Sequence, residues 1–342
     1  MIIVMRKSAT EEQIQLVMKA VTDEGLEPRR LDGVERTVIA CIGDERATSA
    51  ERFEVLEGVD RVMPVLQDYK LASRDGALER TRVPVRDVII GDREIVVMAG
   101  PCSVESEEQI VSTARAVKAA GARILRGGAF KPRTSPYAFQ GLAEDGLKLL
   151  ATAREETGLP IVTEVMDPHN VELVGRYTDM YQIGARNVQN YALLREVGQT
   201  RIPVLLKRGM STTLKEFVFA AEYILAGGNP HVVLCERGIR TFETATRNTL
   251  DLNALPVLQE WTHLPVCIDP SHGVGVTRWV PPLARAAVAA GADALMLEVH
   301  PDPAHAWSDG AQSLDFEGFA EAMDGIRRVA AAVDRTLPQP VA

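Results

Sequence analysis

Three cations lie within the eight residues that follow a short apolar segment, Ile124 and Leu125, which has the character of a buried strand. They are Arg126, Lys131 and Arg133. Guanidinium and ammonium groups suit phosphate or carboxylate oxygens. Glycines and prolines of the same stretch let the backbone pass close to a ligand and stiffen the loop. The stretch therefore predicts an anion-binding site at the end of a strand.

Further cations stand at the ends of other apolar segments. The full set is Arg126, Lys131, Arg133, Arg186, Lys207 and Arg237. The formal net charge of the chain is -9, which argues against a nucleic-acid partner and favours a small anionic ligand. Glu164 and Glu236 are too few to neutralise six cations, so we expect more than one phosphate to bind.

A second set of side chains has the composition of a metal site, namely Cys102, His272, Glu298 and Asp309. A thiolate, an imidazole and carboxylates suit manganese, iron, cobalt or zinc better than calcium. Asp302 lies on the same loop as Asp309 and is an alternative to it. Cys235 and Cys267 fall inside apolar segments, and we interpret both as core residues.

The elements that position these residues repeat as short apolar runs separated by helical segments. Eight strands are predicted, at 95–98, 123–126, 161–164, 180–183, 204–207, 232–235, 266–269 and 294–298. Helices are predicted at 107–120, 143–157, 213–226, 282–290 and 316–333. This arithmetic favours a (β/α)₈ TIM barrel in residues 94–342, in which strand ends carry the active site.

Residues 1–66 follow a different pattern. Strands at 1–5, 28–31, 37–42 and 61–66 and helices at 10–23 and 49–57 give the order βαββαβ, with Thr10 and Gln13 as a capping pair. That order predicts an α+β ferredoxin-like domain of a regulatory kind. Residues 67–93 are predicted to be a linker with a hairpin near 81–90.

The composition indicates the class of the protein and its cellular compartment. Of 342 residues, 46% are hydrophobic and 25% charged, as in globular domains with a sizeable core. The four cysteines show no paired spacing, and the apolar run at the N-terminus stops at Arg6. We therefore expect a cytoplasmic protein without a signal peptide and without a membrane span.

Several segments together resemble one enzyme family. They are Ala99-Gly-Pro-Cys-Ser-Val-Glu105, Arg126-Gly-Gly-Ala-Phe-Lys-Pro-Arg-Thr-Ser135, Gln182-Ile-Gly-Ala-Arg186, Leu206-Lys-Arg-Gly209, Cys235-Glu-Arg-Gly238, Asp269-Pro-Ser-His272 and Leu297-Glu-Val-His-Pro301. The chain resembles the 3-deoxy-D-arabino-heptulosonate 7-phosphate (DAHP) synthases, in the branch with a ferredoxin-like domain before the barrel. The resemblance implies condensation of phosphoenolpyruvate with erythrose 4-phosphate, the first step of the shikimate pathway to aromatic amino acids.

The resemblance also implies roles for the residues. Cys102, His272, Glu298 and Asp309 would hold a divalent ion, with manganese as the first choice and iron, cobalt or zinc as alternatives. The phosphoenolpyruvate site would consist of Arg126, Lys131, Arg186, Lys207 and Arg237, and the erythrose 4-phosphate site of Arg133 and Thr134. Lys131 is the candidate proton donor. Glu164, alone or with Lys131, is the candidate for orienting water, while Asp269 contacts the aldehyde or orients His272.

Two other functions are compatible with parts of this pattern. The sister synthases of 3-deoxy-D-manno-octulosonate 8-phosphate act on arabinose 5-phosphate and carry an asparagine in the loop, where Pro132 and Arg133 stand here. A non-catalytic sensor with a relict barrel conflicts with the intact metal and cation sets. The N-terminal domain predicts allosteric inhibition by tyrosine or phenylalanine, and the resemblance implies a homotetramer.

Overall fold

The computed structural model describes residues 1–33, 36–43, 48–63, 69–77, 79–133 and 135–340. The chain divides into two compact units. The first comprises Met1–Thr81 with Glu260–His263, and the second comprises Arg82–Gln259 with Leu264–Ala342. Within the described ranges, no helix is long and apolar enough to cross a membrane.

The first unit has the predicted βαββαβ order. Its elements are β1 (Ile2–Met5), α1 (Glu11–Asp23), β2 (Glu27–Asp32), β3 (Thr37–Ile42), α2 (Glu51–Glu54) and β4 (Val59–Met63). The strands form an antiparallel sheet in the order β2-β3-β1-β4. One apolar face of α1 joins Ile3, Met5 and Ile39 in a core of its own. The predicted capping box is confirmed, because Thr10 Oγ1 accepts from the Gln13 amide and Gln13 Oε1 from the Thr10 amide.

The second half of this unit corrects two predicted boundaries. The helix predicted at 49–57 covers only Glu51–Glu54, and the strand predicted at 61–66 begins at Val59. Gly58 has a φ of 90°, a backbone conformation that favours glycine, and the strand begins at the next residue. The predicted strand end at residues 64–66 lies outside the described residues.

The second unit begins with a hairpin, β5 (Val83–Val85) and β6 (Val88–Ile90), close to the predicted position. Eight parallel strands then close into the predicted barrel. They are β7 (Val96–Gly100), β8 (Ile124–Arg126), β9 (Ile161–Glu164), β10 (Met180–Ile183), β11 (Val204–Lys207), β12 (Val232–Glu236), β13 (Val266–Ile268) and β14 (Ala294–Glu298). Pairing of β14 with β7 completes the ring.

The helices of this unit are α3 (Glu107–Ala119), α4 (Glu144–Thr157), α5 (Val171–Gly175), α6 (Tyr191–Gly198), α7 (Leu214–Ala226), α8 (Ala254–Trp261), α9 (Pro270–Val274), α10 (Val280–Ala289) and α11 (Phe316–Ala332). The five predicted helices correspond to α3, α4, α7, α10 and α11. The other four span five to eight residues, too few turns to give a clear apolar period.

The barrel interior is filled with side chains from the strands and from the hairpin. Val83, Val85, Val88 and Ile90 belong to the same buried cluster as strand residues such as Met98 and Met296. The hairpin is thus part of the barrel's core, although the sequence suggested a place in the linker. Cys235 and Cys267 are fully buried partners on β12 and β13, which confirms that they are core residues.

Candidate active site

A cavity of about 320 Å³ is lined by residues that follow the barrel strands. Its walls consist of Lys131, Pro132, Arg133, Glu164, Gln182, Gly184, Ala185, Arg186, Lys207, Met210, Arg237, Arg240, Arg247, Asn248, His272 and Asp309. Parallel strands all point the same way, so the groups at their carboxyl ends meet at one end of the barrel. The cavity therefore gathers residues that are far apart in the sequence.

Three of the four predicted metal ligands lie together. Donor atoms of Cys102, Glu298 and Asp309 all fall within 4.8 Å of one another. Cys102 Sγ lies 3.2 Å from Asp309 Oδ2. Asp302, the alternative to Asp309, is instead exposed and contacts His305 at 2.7 Å. Soft and hard donors in one buried cluster fit a borderline transition ion such as manganese, iron, cobalt or zinc.

His272 lies beside this cluster without belonging to the group of three. Its Nε2 lies 3.4 Å from Glu298 Oε1, and its Nδ1 lies 2.7 Å from Asp269 Oδ2, outside hydrogen-bond geometry. Asp269 also accepts a hydrogen bond from the His272 amide, because it caps α9. The carboxylate thus fixes one side of the imidazole and leaves the other facing Glu298.

Protonation states within the cluster follow from burial and charge. Burial, and then the nearby Glu298, raises the pKa of the Cys102 thiol to about 11. Burial lowers the pKa of His272 despite two nearby carboxylates, so the neutral imidazole is favoured. Although burial opposes it, the nearby Arg247 guanidinium lowers the pKa of Asp309 to about 2. A neutral thiol, a neutral imidazole and an ionised carboxylate therefore coexist at neutral pH.

Lys131 and Arg126 are buried beside the same cluster. Lys131 Nζ donates to the Cys102 carbonyl at 2.8 Å and lies 2.9 Å from Cys102 Sγ. Arg126 donates to the Pro101 carbonyl and to Glu298, and its Nε is buried without a partner. Arg126 is absent from the cavity wall, so this predicted anion ligand lies behind it.

Glycines permit this close packing at two positions. A Cβ on Gly128 would lie 2.6 Å from the Cys102 carbonyl and 3.0 Å from Lys131 Nζ. A Cβ on Gly100, whose φ is 152°, would lie 2.1 Å from the Arg126 carbonyl. At these two glycines the backbone passes close to a neighbouring strand end or loop of the protein. That the glycines also let the backbone approach a ligand stays a prediction.

The predicted cations differ in how they are paired. Lys207 forms a close ion pair with Asp269, while Arg208 next to it is neutralised by Glu236 and Asp251. Among the described residues, no carboxylate forms an ion pair with Lys131, Arg133, Arg186 or Arg237, which all line the cavity. The guanidinium of Arg133 is oriented by a hydrogen bond that its Nε donates to the Phe139 carbonyl. Unpaired cations around one cavity favour an anionic ligand.

Glu164 is the acidic residue that stands among these cations. Its Oε2 accepts from Gln182 at 3.2 Å, but its Oε1 is buried without a partner. Burial raises the pKa of Glu164, against the opposing effect of Lys131 and Lys207. Three of the five buried unpartnered atoms in the described chain belong to this site, on Arg126, Glu164 and His272. Such a concentration of unsatisfied groups is typical of a site completed by a ligand.

The structure adds residues that sequence reasoning missed. Arg240, Arg247 and Asn248 line the cavity from the long loop after β12. Arg247 also contacts Asp309 at 3.1 Å and Gln312 at 2.7 Å, and Gln312 donates to Glu298. The two arginines lie in the stretch that follows Arg237, so extending the search along each strand-end loop would have found them. Thr134, predicted to bind the sugar phosphate, lies outside the described residues.

Comparisons with known proteins relate both units of the chain to one enzyme family. A family model described as "DAHP synthetase I family" matches residues 70–331, and one described as "DAHP synthase ferredoxin-like domain" matches residues 1–67. The chain is 48% identical to a phospho-2-dehydro-3-deoxyheptonate aldolase of Thermotoga maritima, over 97% of this chain and 98% of that protein. A 2-dehydro-3-deoxyphosphooctonate aldolase of Koribacter versatilis is 32% identical, over 73% and 96% respectively.

Two solved structures of similar proteins are also DAHP synthases. The crystal structure of the Thermotoga maritima enzyme, titled as a DAHP synthase, matches with a TM-score of 0.78 at 47% identity and covers 98% of both chains. A truncated form of DAHP synthase from the same organism matches with a TM-score of 0.73 at 45% identity. It covers 78% of this chain and 98% of that one.

Proposed function

Since the chain belongs to the DAHP synthetase I family, we propose that it condenses phosphoenolpyruvate with D-erythrose 4-phosphate and water. The products are DAHP and phosphate, which places the enzyme at the start of the shikimate pathway. The observation that carries the proposal is the juxtaposition of a thiol and carboxylate cluster with a cavity lined by unpaired cations. Such a site suits joining a phosphorylated enol to a phosphorylated aldehyde.

The metal site of the proposal consists of Cys102, His272, Glu298 and Asp309. Their donor types suit a borderline divalent ion, and manganese is our choice. When bound, the ion would supply a Lewis acid that polarises the aldehyde oxygen. Asp269 orients the imidazole of His272 and holds Lys207 beside it. A contact of Asp269 with the aldehyde is the other role proposed for this carboxylate.

Phosphoenolpyruvate is assigned to Arg186, Lys207 and Arg237, with Lys131 at the metal side and Arg126 behind it. Arg186 and Arg237 face the cavity without carboxylate partners, which leaves their donors available for phosphate oxygens. Arg126 lies behind the cavity wall, where it donates hydrogen bonds to the Pro101 carbonyl and to Glu298. These contacts would orient the enol carbon that attacks the aldehyde.

Two residues are placed to handle protons and water. Lys131 lies 2.9 Å from Cys102 Sγ, so it is near the proposed aldehyde position and can donate a proton to the developing alkoxide. Attack leaves positive character at C2 of phosphoenolpyruvate, which water must quench before phosphate leaves. Glu164 has a raised pKa and a free buried oxygen, both suited to orienting or deprotonating that water.

The aldehyde phosphate is assigned to Arg133, with Thr134 as its predicted neighbour. Arg133 and Pro132 line the cavity, and the Phe139 carbonyl orients the guanidinium. The sister synthases differ by an asparagine in this loop, so Pro132 and Arg133 support the four-carbon sugar. The low identity to an octulosonate relative, 32%, supports the same choice.

The N-terminal unit is proposed to bind tyrosine or phenylalanine as a feedback inhibitor in a homotetramer. An aromatic end product is unlike either substrate, so inhibition by it needs a second site. The match of residues 1–67 to the ferredoxin-like domain of this family supports a regulatory unit. The cytoplasmic setting predicted from the cysteines belongs to the same proposal.

The test is an assay of phosphoenolpyruvate consumption with each aldehyde, on protein freed of metal and then supplied with manganese. We expect turnover with erythrose 4-phosphate, none after chelation, and recovery with manganese. Preference for arabinose 5-phosphate would assign the chain to the sister reaction. Full activity of a Cys102→Ala variant after exhaustive chelation would refute the metal site. Inactivity with both aldehydes under all conditions would refute the proposal.

A further inference from the structure

The loop between β14 and α11 brings Asp309 to the metal cluster in a strained conformation. Asp309 has a φ of 52°, in the left-handed region that residues other than glycine seldom adopt. The ends of the loop are tied together, because the His300 amide donates to the Leu314 carbonyl at 2.9 Å. A Cβ on Gly310 would lie 2.0 Å from the Pro303 carbonyl, so the loop is also closely packed within itself. Such a conformation persists only where surrounding contacts hold it.

Glu105 supplies two of these contacts from the loop after β7. Its Oε1 accepts from the Trp307 backbone amide at 2.8 Å, and its Oε2 lies 3.2 Å from His300 Nε2. The Glu105 and His300 side chains are only 9% and 7% exposed. His300 Nδ1 accepts from the Asp302 amide, so the proton of a neutral ring stands on Nε2 and points at Glu105.

A third contact joins the same two loops next to the metal ligands themselves. The hydroxyls of Ser103 and Ser308 lie 2.6 Å apart and are buried. Ser103 follows Cys102 in the chain, and Ser308 precedes Asp309. Contacts between the loop after β7 and the loop after β14 therefore determine how far the Cys102 thiol stands from the Asp309 carboxylate, which is 3.2 Å here.

We propose that Glu105 is a positioning residue for the metal site. Together with His300 and the Trp307 amide it forms a clamp that holds Asp309 beside Cys102, where both side chains would contact one ion. This inference rests on the proposed function, since it assumes the metal site. Glu105 does not line the cavity, so its role concerns the affinity for the ion and leaves the substrate contacts unchanged.

The discriminating variant is Glu105→Gln, which keeps the size of the side chain. Its amide can offer an oxygen to the Trp307 amide only by turning an NH₂ group towards the proton on His300 Nε2. We expect the dissociation constant for Mn²⁺, measured by calorimetry without substrate, to rise roughly 10-fold to 100-fold. Michaelis constants at saturating Mn²⁺ should stay within about twofold. Glu108→Gln, on the exposed start of α3, is the matched control and should bind Mn²⁺ like the unchanged chain.

A second pair of variants decides the matter if Glu105→Gln does not fold. His300→Gln keeps a donor for Glu105, whereas His300→Ala removes it. We expect Mn²⁺ affinity to be largely retained in the first and lowered in the second. Unchanged affinity in Glu105→Gln or His300→Ala would overturn the clamp. If the unchanged chain binds no Mn²⁺, the proposed metal site itself has failed, and that result is distinct from either outcome.

Discussion

The Cys102 thiol and the His272 imidazole of the proposed metal site would contribute differently on uptake of an ion. At neutral pH the thiol keeps its proton, because burial raises its pKa to about 11. The pKa of His272 is lowered, so the imidazole is already neutral at this pH and need not lose a proton before it binds an ion. Asp309 is already ionised, since its pKa is about 2. Binding of an ion by the Cys102 thiolate would therefore displace a proton from Cys102 alone among these three proposed ligands.

The affinity for Mn²⁺ should consequently rise with pH. Because the folded thiol titrates above the assay range, the proton that must leave is fully bound there, and affinity should grow by about tenfold per pH unit between about pH 6.5 and about pH 8.5. Calorimetry in buffers of different ionisation enthalpy should detect roughly one proton released per ion. Cys102→Ser, with no acidic proton, should bind more weakly and show a much flatter slope. A flat profile in the unchanged chain would contradict the assignment of a protonated thiol.

The proposed assignment of Arg133 to one substrate and of Arg186 to the other can be tested with single substitutions. Arg133→Ala should raise the Michaelis constant for erythrose 4-phosphate far more than that for phosphoenolpyruvate, and Arg186→Ala should do the reverse. Loss of one charge-assisted contact costs about 1.5–3 kcal/mol, or roughly tenfold to more than a hundredfold in affinity. Arg176→Ala, which removes an exposed pair with Glu172 outside the cavity, is the control for a lost positive charge. Equal effects on both substrates would show that the division is wrong.

At the scale of elements, the barrel strands could be predicted because burial on both faces makes them short, continuous apolar runs. β9, β10, β11 and β14 have the predicted bounds, and the other four differ by one or two residues. What the sequence could not predict are contacts across the chain. The pairing of Arg126 with Glu298, and of Lys207 with Asp269, follows from barrel closure and has no local pattern. Short α5 and α9 were missed for a different reason, since one turn carries no period.

The hairpin of β5 and β6 shows the same limit and leads to a prediction. Local sequence indicated two strands but not that their side chains fill the barrel. Removing four buried aliphatic side chains forfeits about 1.5–3 kcal/mol each, which together approaches the whole stability of a domain. A chain that begins at Gly91 should therefore be molten or insoluble, while one that begins at Thr81 should unfold cooperatively. Thermal unfolding and near-ultraviolet circular dichroism distinguish the two, and equal stability would exclude a structural role for the hairpin.

At the scale of the whole molecule, the proposed active site belongs to one of the two units. All of the predicted site residues that the structure describes lie in the second unit, and the first has its own buried core. The fold of each unit followed from its own sequence pattern, βαββαβ in one and repeated strand and helix in the other. The domain bounds of 66 and 93 and the linker between them stay predictions. Nothing in the local pattern specifies the effector or the number of subunits, because both depend on surfaces.

Separate cores predict that inhibition and catalysis can be taken apart. A protein that begins at Thr81 keeps every cavity residue and the hairpin, so it should turn over phosphoenolpyruvate and erythrose 4-phosphate at a rate within about tenfold of the full chain. It should lose inhibition by tyrosine or phenylalanine, because the proposed effector site lies in the part removed. The measurement is initial rate against effector concentration for both proteins at saturating Mn²⁺, with glutamine as an amino acid that should inhibit neither. Undiminished inhibition of the shortened protein would place the effector site in the barrel. A full-length enzyme insensitive to both aromatic amino acids would instead remove the regulatory role from the first unit.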